Sequence, residues 1–328
     1  MNLAAFPRKI FSSGPTNIEK LENLTKILKG PNIYIKRDDT FGNIVPGGNK
    51  TRKLEFLFGE AISLGKDTII TSGAIQSNHC RLTLAVANKA GFDCHLVLEE
   101  RVPNTFDPKA GGNNFHYNLL GAKSITVVKG GEDLLDVMKK KATELESQGK
   151  KPYIIPTGGS SATGGLGYAS CALELMQQSF LMNLKIDNII LTTGSGGTHG
   201  GLIAGMKALC ANIPVTGVCI SQKNESKLLN TAIETAKKMN TPLPTIDDII
   251  LHDDYIGEDY SIPTEGMIET VKLLAKTESV LLDPIYTGKA MHGMLDLYKK
   301  GYFSNCENIL FIHTGGTVAL DAFKHLFL

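Results

Sequence analysis

The sequence lacks three features that would by themselves indicate a class of function: an excess of charge, paired cysteines and a long apolar run. Lys and Arg number 34 against 33 Asp and Glu, so no electrostatic argument favours nucleic acid or a membrane surface as a partner. The cysteines are scattered, without a CxxC pair or neighbouring histidines, which argues against a zinc site or a disulfide framework, and we expect no metal. They are Cys80, Cys94, Cys171, Cys210, Cys219 and Cys306.

A targeting signal is also missing. Residues 1–9 do not show the charged stretch, apolar stretch and cleavage site of a secretory signal, and no later apolar run is long enough to cross a bilayer. We therefore expect a cytoplasmic protein. With 328 residues, 42% of them apolar, the chain can bury more than one core and form two domains, or one large domain with a lobe.

Short β-branched runs alternate with helical patterns along the chain. The strand-like runs are 32–36, 68–71, 94–98, 124–128, 152–155, 188–193, 215–220 and 308–313. Helical spacing of apolar residues is found near 54–64, 80–90, 199–210, 224–238, 266–275 and 289–299. Gly65 and Gly91 follow the first two helices, where a left-handed residue is typical. This alternation predicts an α/β fold with mostly parallel sheets that helices cover on both faces.

A glycine-rich turn, TGSGGTHGG at 193–201, lies between a predicted strand and a predicted helix. Its exposed N–H groups, the hydroxyls of Ser195 and Thr198 and the helix N-terminus favour an anion without any lysine, which predicts a phosphate site. The dinucleotide fingerprint requires glycine where this chain has His199, and the P-loop pattern that starts at Gly42 has Gly48 in place of its lysine. The alternative is that these glycines only make a tight turn.

Two further positions at predicted helix starts could carry chemistry. Lys50 follows GGN and opens a helix, whose positive N-terminal end disfavours an ammonium and helps an amine act as a nucleophile. Judged alone it is no different from a solvated surface lysine, and we expect Lys53 to be one of those. Ser77 or Asn78 can cap the helix that follows 71–79, and the same turn can bind a substrate carboxylate.

Six ordered motifs along nearly the whole chain resemble those of the fold-type II pyridoxal-phosphate enzymes, and within them the D-cysteine desulfhydrase and 1-aminocyclopropane-1-carboxylate deaminase group. The motifs are KRDD at 36–39, GGNKTRKLE at 47–55, QSNH at 76–79, PTGGS at 156–160, GSGGT at 194–198 and DPIYTGKAM at 283–291. The resemblance implies an α/β fold of two three-layer domains with mostly parallel sheets, similar to the tryptophan synthase β chain. With boundaries at the glycine clusters, we expect a larger cofactor-binding domain from 1–50 and 161–328 and a smaller inserted domain, 51–160.

The resemblance also implies roles for individual residues. Lys50 would hold pyridoxal 5'-phosphate as a Schiff base, and Asn78 would hydrogen-bond the ring hydroxyl of the cofactor. Ser77 would lie against the substrate carboxylate, with Tyr260 and Tyr286 facing the substrate. The cofactor phosphate would be held by one turn, formed by Gly194, Ser195, Gly196, Gly197 and Thr198.

Two threonines separate the branches of this group. The deaminase branch typically has glutamate after the second tyrosine and leucine after the histidine of the last strand, whereas this chain has Thr287 and Thr314, as in the desulfhydrase branch. A glutamate beside the pyridine nitrogen would keep that nitrogen protonated, while a threonine hydroxyl supports a weaker electron sink. Expelling a thiolate from the β-carbon demands less of the cofactor than opening a cyclopropane.

The expected reaction is therefore β-elimination on a small amino acid, with D-cysteine giving pyruvate, hydrogen sulfide and ammonia. The alternatives are deamination of aminocyclopropane-carboxylate to 2-oxobutanoate, β-replacement as in a cysteine synthase, and a binding protein or nucleotide enzyme without a Schiff base. Lys50, a tyrosine or Ser77 could remove the α-proton, and the choice between D- and L-substrates stays open. The resemblance also implies a homodimer.

Overall fold

The computed structural model describes residues 1–44, 46–107 and 109–328 and contains a six-stranded and a four-stranded sheet. The six-stranded sheet has the order β1-β2-β10-β7-β8-β9; β1 and β2 pair antiparallel, and the four other strand pairs found among these residues are parallel. Its strands are β1 (Ile18–Lys20), β2 (Asn32–Lys36), β7 (Asn188–Thr193), β8 (Val215–Cys219), β9 (Ile250–His252) and β10 (Asn308–Ile312).

The four-stranded sheet has the order β5-β4-β3-β6, and all of its strand pairs are parallel. Its strands are β3 (Thr68–Ala74), β4 (Asp93–Glu100), β5 (Ser124–Lys129) and β6 (Pro152–Ile155). The helices are α1 (Glu22–Leu28), α2 (Asn49–Ser63), α3 (Asn78–Ala90), α4 (Asn113–Leu119), α5 (Leu134–Ser147), α6 (Ala162–Leu181), α7 (Gly197–Ala208), α8 (Glu225–Met239), α9 (Glu265–Glu278), α10 (Thr287–Lys299) and α11 (Ala319–Ala322).

Helices cover both faces of each sheet, because alternate residues of a strand point to opposite faces. In β10, Ile309 and Phe311 pack with α1, α9 and α10, whereas Leu310 packs with α6 and α7. In the smaller sheet, Ile69 packs with α2 and α3, and the next residue, Ile70, packs with α5. Each sheet therefore forms the middle of three layers, and the predicted α/β fold is confirmed.

A buried cluster of charged side chains fastens α2 to α6. Arg52 donates through Nε and Nη2 to the two carboxylate oxygens of Asp38, at 2.9 and 2.7 Å. The same guanidinium donates through Nη1 and Nη2 to Glu174 at 2.8 and 2.9 Å, and Lys36 also bonds this carboxylate. Arg52 and Asp38 are 2% and 0% exposed. Because these bonds satisfy the buried charges, the cluster fixes the orientation of the first turn of α2.

The structure confirms the strand predictions for β2 to β8 and β10, but the sequence does not indicate β1, β9, α1, α4 to α6 or α11. The strands β1 and β9 have three residues each, too few to show a period of two. Helix α6 contains Gly164, Gly165 and Gly167, which have low helix propensity. A Cβ on Gly167 would lie 2.3 Å from the Arg52 carbonyl oxygen, and one on Gly165 would lie 2.1 Å from Thr235 Oγ1, so these two glycines let α6 pack closely against α2 and α8.

The predicted division into a domain of 1–50 and 161–328 and an inserted domain of 51–160 stays a prediction. Its first boundary lies in the first turn of α2, which begins at Asn49. No helix within the described part of the chain has the length and apolar character needed to span a membrane.

Replacing Arg52 with methionine tests the charged cluster. The change keeps much of the side-chain volume but leaves the buried Asp38 carboxylate without its cation, so the free energy of unfolding should fall by about 3–5 kcal/mol in urea denaturation. Lys237→Met, which removes an exposed ion pair with Glu234, is the control and should change little. A loss below about 1 kcal/mol for Arg52→Met would show that the cluster does not stabilise the fold.

Candidate active site

Five of the six sequence motifs, all except KRDD at 36–39, contribute residues to the lining of one cavity of about 460 Å³. The turns after β3 and β7 lie there, at the carboxyl ends of parallel strands, together with the N-termini of α2, α3 and α7. Its charged lining residues are Lys50, Arg101 and Lys227, and no Asp or Glu lines it within residues 1–44, 46–107 and 109–328. The cavity is large enough for a small cofactor with a substrate, and its charge favours anions.

The predicted phosphate turn has its donors directed by a chain of hydroxyls. Gly196, with φ of 87°, precedes α7, and the Gly197 N–H donates to Ser160 Oγ at 3.2 Å. Ser160 Oγ in turn donates to Ser195 Oγ at 2.8 Å, so the Ser195 proton remains available for a ligand. Asn49 Nδ2 donates to Thr198 Oγ1 at 2.9 Å, which fastens the start of α2 to this turn. The N–H groups of the first turn of α7 have no intrahelical acceptor.

The prediction that Lys53 is a solvated surface lysine is wrong. Lys53 is buried, and it lies beside the predicted phosphate turn, which was expected to bind an anion without any lysine. The residue is 1% exposed, and its Nζ donates to the Gly158 carbonyl oxygen at 3.0 Å. A Cβ on Gly197 would lie 2.9 Å from Lys53 Nζ. Burial, together with the neighbouring charge of Lys50, holds the pKa of Lys53 well below its usual value. An anion bound in the turn would compensate this desolvated ammonium.

Lys50 lies in the first turn of α2 and is only partly exposed, at the wall of the cavity. Within the described ranges, its Nζ has no hydrogen-bond acceptor and no carboxylate partner. Burial without a counter-charge lowers the pKa of Lys50 to about 8. A lysine with this pKa has a sizeable neutral fraction near neutral pH and can act as a nucleophile or a base.

The turn before α3 combines a structural and a binding geometry. Ser77 Oγ accepts the N–H of Cys80 at 3.2 Å, which confirms that Ser77 caps this helix. The hydroxyl proton of Ser77 stays free to donate, and both Ser77 and Asn78 line the cavity. The N–H groups at the N-terminus of α3 form the kind of site at which a carboxylate commonly binds.

Tyr260 and Tyr286 meet at the opposite side of the cavity, where their hydroxyls hydrogen-bond each other. The Arg101 guanidinium stacks on the Tyr260 ring, 4.3 Å from its centroid. Lys289 Nζ donates to the Tyr260 and Asp259 carbonyl oxygens at 3.2 and 3.0 Å, so it holds the loop that carries Tyr260. Burial raises the pKa of Tyr260, and burial with the neighbouring tyrosine raises that of Tyr286, so both are neutral phenols at neutral pH.

The two threonines that distinguish the branches lie in different surroundings. Thr314 is 8% exposed and lines the cavity. Thr287 is fully buried at the start of α10, where its Oγ1 accepts the Asp283 N–H at 2.9 Å and its N–H donates to Asp283 Oδ1 at 3.0 Å. Thr287 and Gly197 are not among the cavity-lining residues, whereas the other predicted site residues are.

The structure adds residues that sequence reasoning missed. Lys53, three residues after Lys50, shares its face of α2, and this spacing is a signal that could have indicated a second lysine in the site. Arg101 follows β4 at the carboxyl edge of the smaller sheet, but the adjoining segment has no motif. A lone arginine in an irregular segment gives no signal without the fold.

The low pKa of Lys50 predicts how it reacts with an aldehyde. Only the neutral amine attacks, so trapping of pyridoxal phosphate by borohydride should speed up as pH rises through about 8 and then level off. The measurement is the rate of covalent attachment to the cofactor-free protein at a series of pH values, with Lys50→Ala as the control. A rate still rising above about pH 10, as for an exposed lysine, would contradict this assignment.

Comparison with known proteins gives consistent results. A family model described as pyridoxal-phosphate dependent enzyme matches residues 11–315. The D-cysteine desulfhydrase of Salmonella typhimurium strain LT2 is 43% identical over 324 residues, with 98% of each chain covered. That of Serratia proteamaculans strain 568 is 41% identical over 323 residues, covering 98% of this chain and 97% of the relative.

Two solved structures extend the comparison. An ACC deaminase homologue superposes with a TM-score of 0.88 at 36% identity, covering 99% of this chain and 96% of that one. A pyridoxal 5'-phosphate-dependent aspartate racemase has a TM-score of 0.63 at 15% identity, covering 92% of this chain and 90% of that one. At this level of identity the likeness shows only a shared fold. From the family match and the full-length relatives, the chain belongs to the pyridoxal-phosphate dependent enzymes.

Proposed function

We propose that the chain is a carbon-sulfur lyase that converts D-cysteine and water to pyruvate, hydrogen sulfide and ammonia. Full-length relatives above 40% identity are named D-cysteine desulfhydrase. The structural observation that carries the proposal is the lining of the cavity: within the described ranges it contains cationic groups and hydroxyls but no carboxylate. This lining suits a reaction that needs an anionic cofactor and substrate but only a modest electron sink.

The residues of the cavity fit pyridoxal phosphate. The hydroxyls of Ser195 and Thr198 and the N-terminus of α7 would hold its phosphate, and the ammonium of Lys53 beside Gly197 would compensate the charge. Lys50 offers an amine without a competing partner, and Asn78 faces the same space. When bound, the cofactor supplies a ring that withdraws electrons from the α-carbon of an amino acid.

A substrate carboxylate would bind at the N-terminus of α3. Ser77 Oγ has accepted the Cys80 N–H and can donate its own proton to a carboxylate oxygen. A Cβ on Gly73 would lie 2.4 Å from Ser77 Oγ, so only glycine lets Ser77 occupy this position. This contact would fix one end of the amino acid and leave its β-substituent free to face the tyrosines.

We assign the removal of the substrate's α-proton to Lys50 Nζ. Its lowered pKa makes the neutral amine accessible, whereas the raised pKa values of Tyr260 and Tyr286 keep both phenols protonated. The two tyrosines are therefore suited to donate a hydrogen bond to the departing thiolate and not to act as bases.

Thr314 would be the uncharged side chain that faces the pyridine nitrogen of the cofactor. Its side chain lines the cavity, while the hydroxyl of Thr287 accepts the Asp283 N–H outside the lining. A hydroxyl does not supply the charge that keeps a pyridine nitrogen protonated, so cyclopropane opening is disfavoured against thiolate elimination. A cytoplasmic location and a homodimer remain part of this proposal, the second supported by resemblance alone.

The deciding experiment compares four substrates with the purified holoenzyme: D-cysteine, L-cysteine, β-chloro-D-alanine and aminocyclopropane-carboxylate. Pyruvate and sulfide should form in equal amounts from D-cysteine, and β-chloro-D-alanine should give pyruvate. The deaminase substrate should give no 2-oxobutanoate above the rate with free pyridoxal phosphate. Faster turnover of L-cysteine would overturn the stereochemical part of the proposal, and rapid 2-oxobutanoate formation would favour the deaminase.

Lys50→Ala tests the central residue. The variant should lose the visible absorbance of covalently attached cofactor together with pyruvate formation from D-cysteine, because no other amine of the cavity has the same position. Lys139→Ala, at an exposed position of α5, is the matched control and should keep both. Substantial activity in Lys50→Ala would refute the assignment.

A further inference from the structure

A buried arginine without a carboxylate partner lies beneath the turn that carries Ser77 and Asn78. Arg81, in the second turn of α3, is 2% exposed, and no acidic side chain pairs with it within the described ranges. Its Nε donates to Asn113 Oδ1 at 2.8 Å and its Nη1 to the Pro46 carbonyl oxygen at 2.7 Å. Burial lowers the pKa of Arg81 to about 10, so the guanidinium still carries its charge at neutral pH.

This arginine determines the orientation of two amide side chains. A guanidinium only donates, so the end of Asn113 that faces Arg81 must be its oxygen. The amide nitrogen of Asn113 then faces the other way and donates to Asn78 Oδ1 at 3.0 Å. It also donates to the Gln76 carbonyl oxygen at 3.0 Å, an acceptor that independently requires a nitrogen at this place.

The direction of hydrogen-bond donation set by Arg81 extends through Asn78 to the cavity. Because Asn78 Oδ1 accepts from Asn113, the Nδ2 of Asn78 must point elsewhere, and no acceptor for it lies within the described residues. Asn78 lines the cavity, so this donor is available there. The relay from Arg81 through Asn113 to Asn78 thus presents an N–H, and not an amide oxygen, to whatever binds at this wall.

We infer that Asn113, held by Arg81, is a positioning residue that orients the amide of Asn78 so that it donates to the ring oxygen of the cofactor. The inference rests on the proposed function, in which Asn78 contacts that oxygen. The oxygen must then be an acceptor, and the relay favours its deprotonated form because every link donates in the same direction. With an unpaired cation at its far end, the relay also brings positive charge toward this oxygen.

Asn113→Asp reverses the relay without changing the size of the side chain. A carboxylate only accepts, so it would bond both Arg81 and the Nδ2 of Asn78, and Asn78 would turn its oxygen to the cavity. The new carboxylate also gives Arg81 a counter-ion, so the cofactor-free variant should fold, which its thermal melting checks.

The measurement is the dissociation constant of pyridoxal phosphate, from titration of the cofactor-free protein, with the spectrum of the bound cofactor as a second readout. We expect Asn113→Asp to weaken binding about tenfold or more, since a hydrogen bond to a charged group becomes a repulsive contact. The visible band should lose intensity to the near-ultraviolet band, because the ring oxygen then keeps its proton. Asn118→Asp, at an exposed position of the same helix, is the control and should bind normally.

A double-mutant cycle with Asn78→Ala separates positioning from general damage. If Asn113 acts through Asn78, then Asn113→Asp should have no further effect on cofactor affinity or spectrum in the Asn78→Ala background. Normal affinity and spectrum in Asn113→Asp, or losses that simply add, would overturn the inference while leaving the role of Asn78 intact. Normal cofactor binding by Asn78→Ala would instead overturn the contact assigned to Asn78 under the proposed function.

Discussion

The proposed site depends on one constraint: positive groups are desolvated around the cavity without carboxylates to pair with them. Lys50 and Lys53 lie three residues apart on one face of α2. Burial lowers the pKa of both, and the charge of Lys50 lowers that of Lys53 further. Arg81 is buried behind them without an acidic partner. An uncompensated buried charge is costly, so an anionic ligand in this space stabilises the fold as well as completing the chemistry.

Helix α2 carries cationic side chains on two sides, one that holds the helix in the fold and one that faces the proposed site. Arg52 lies between the two lysines in sequence but points to the other side, where Asp38 and Glu174 satisfy its guanidinium. That side holds α2 against α6, so the first turn of the helix cannot shift. Lys50, on the opposite side, therefore lines the cavity from a helix that is held in place, while Lys53 is buried against the Gly158 carbonyl oxygen. A reaction that depends on the position of one amine requires such a rigid support.

The alternation of strands and helices was predictable because both sheets are mostly parallel and covered by helices on two faces, which leaves short apolar runs in the sequence. The turn at 194–198 was predictable because few other uses require so many glycines between a strand and a helix. The burial of Lys53 was not, since it depends on Gly197 and Gly158 from distant segments. Likewise, the relay through Asn113 joins α3 to α4, and no local pattern reports that contact.

The environment of Asp283 explains why threonine rather than an acid would meet the cofactor ring. This carboxyl is buried, and burial raises its pKa to about 7 despite the N–H groups that it accepts. Those donors belong to Tyr286 and Thr287, so Asp283 caps the start of α10 and is turned away from the cavity. In the proposed site the neutral hydroxyl of Thr314 would therefore face the ring nitrogen, with no charge to keep that nitrogen protonated. A weak electron sink is sufficient when the β-substituent is a thiolate, because its departure removes the electrons that the ring would otherwise have to hold.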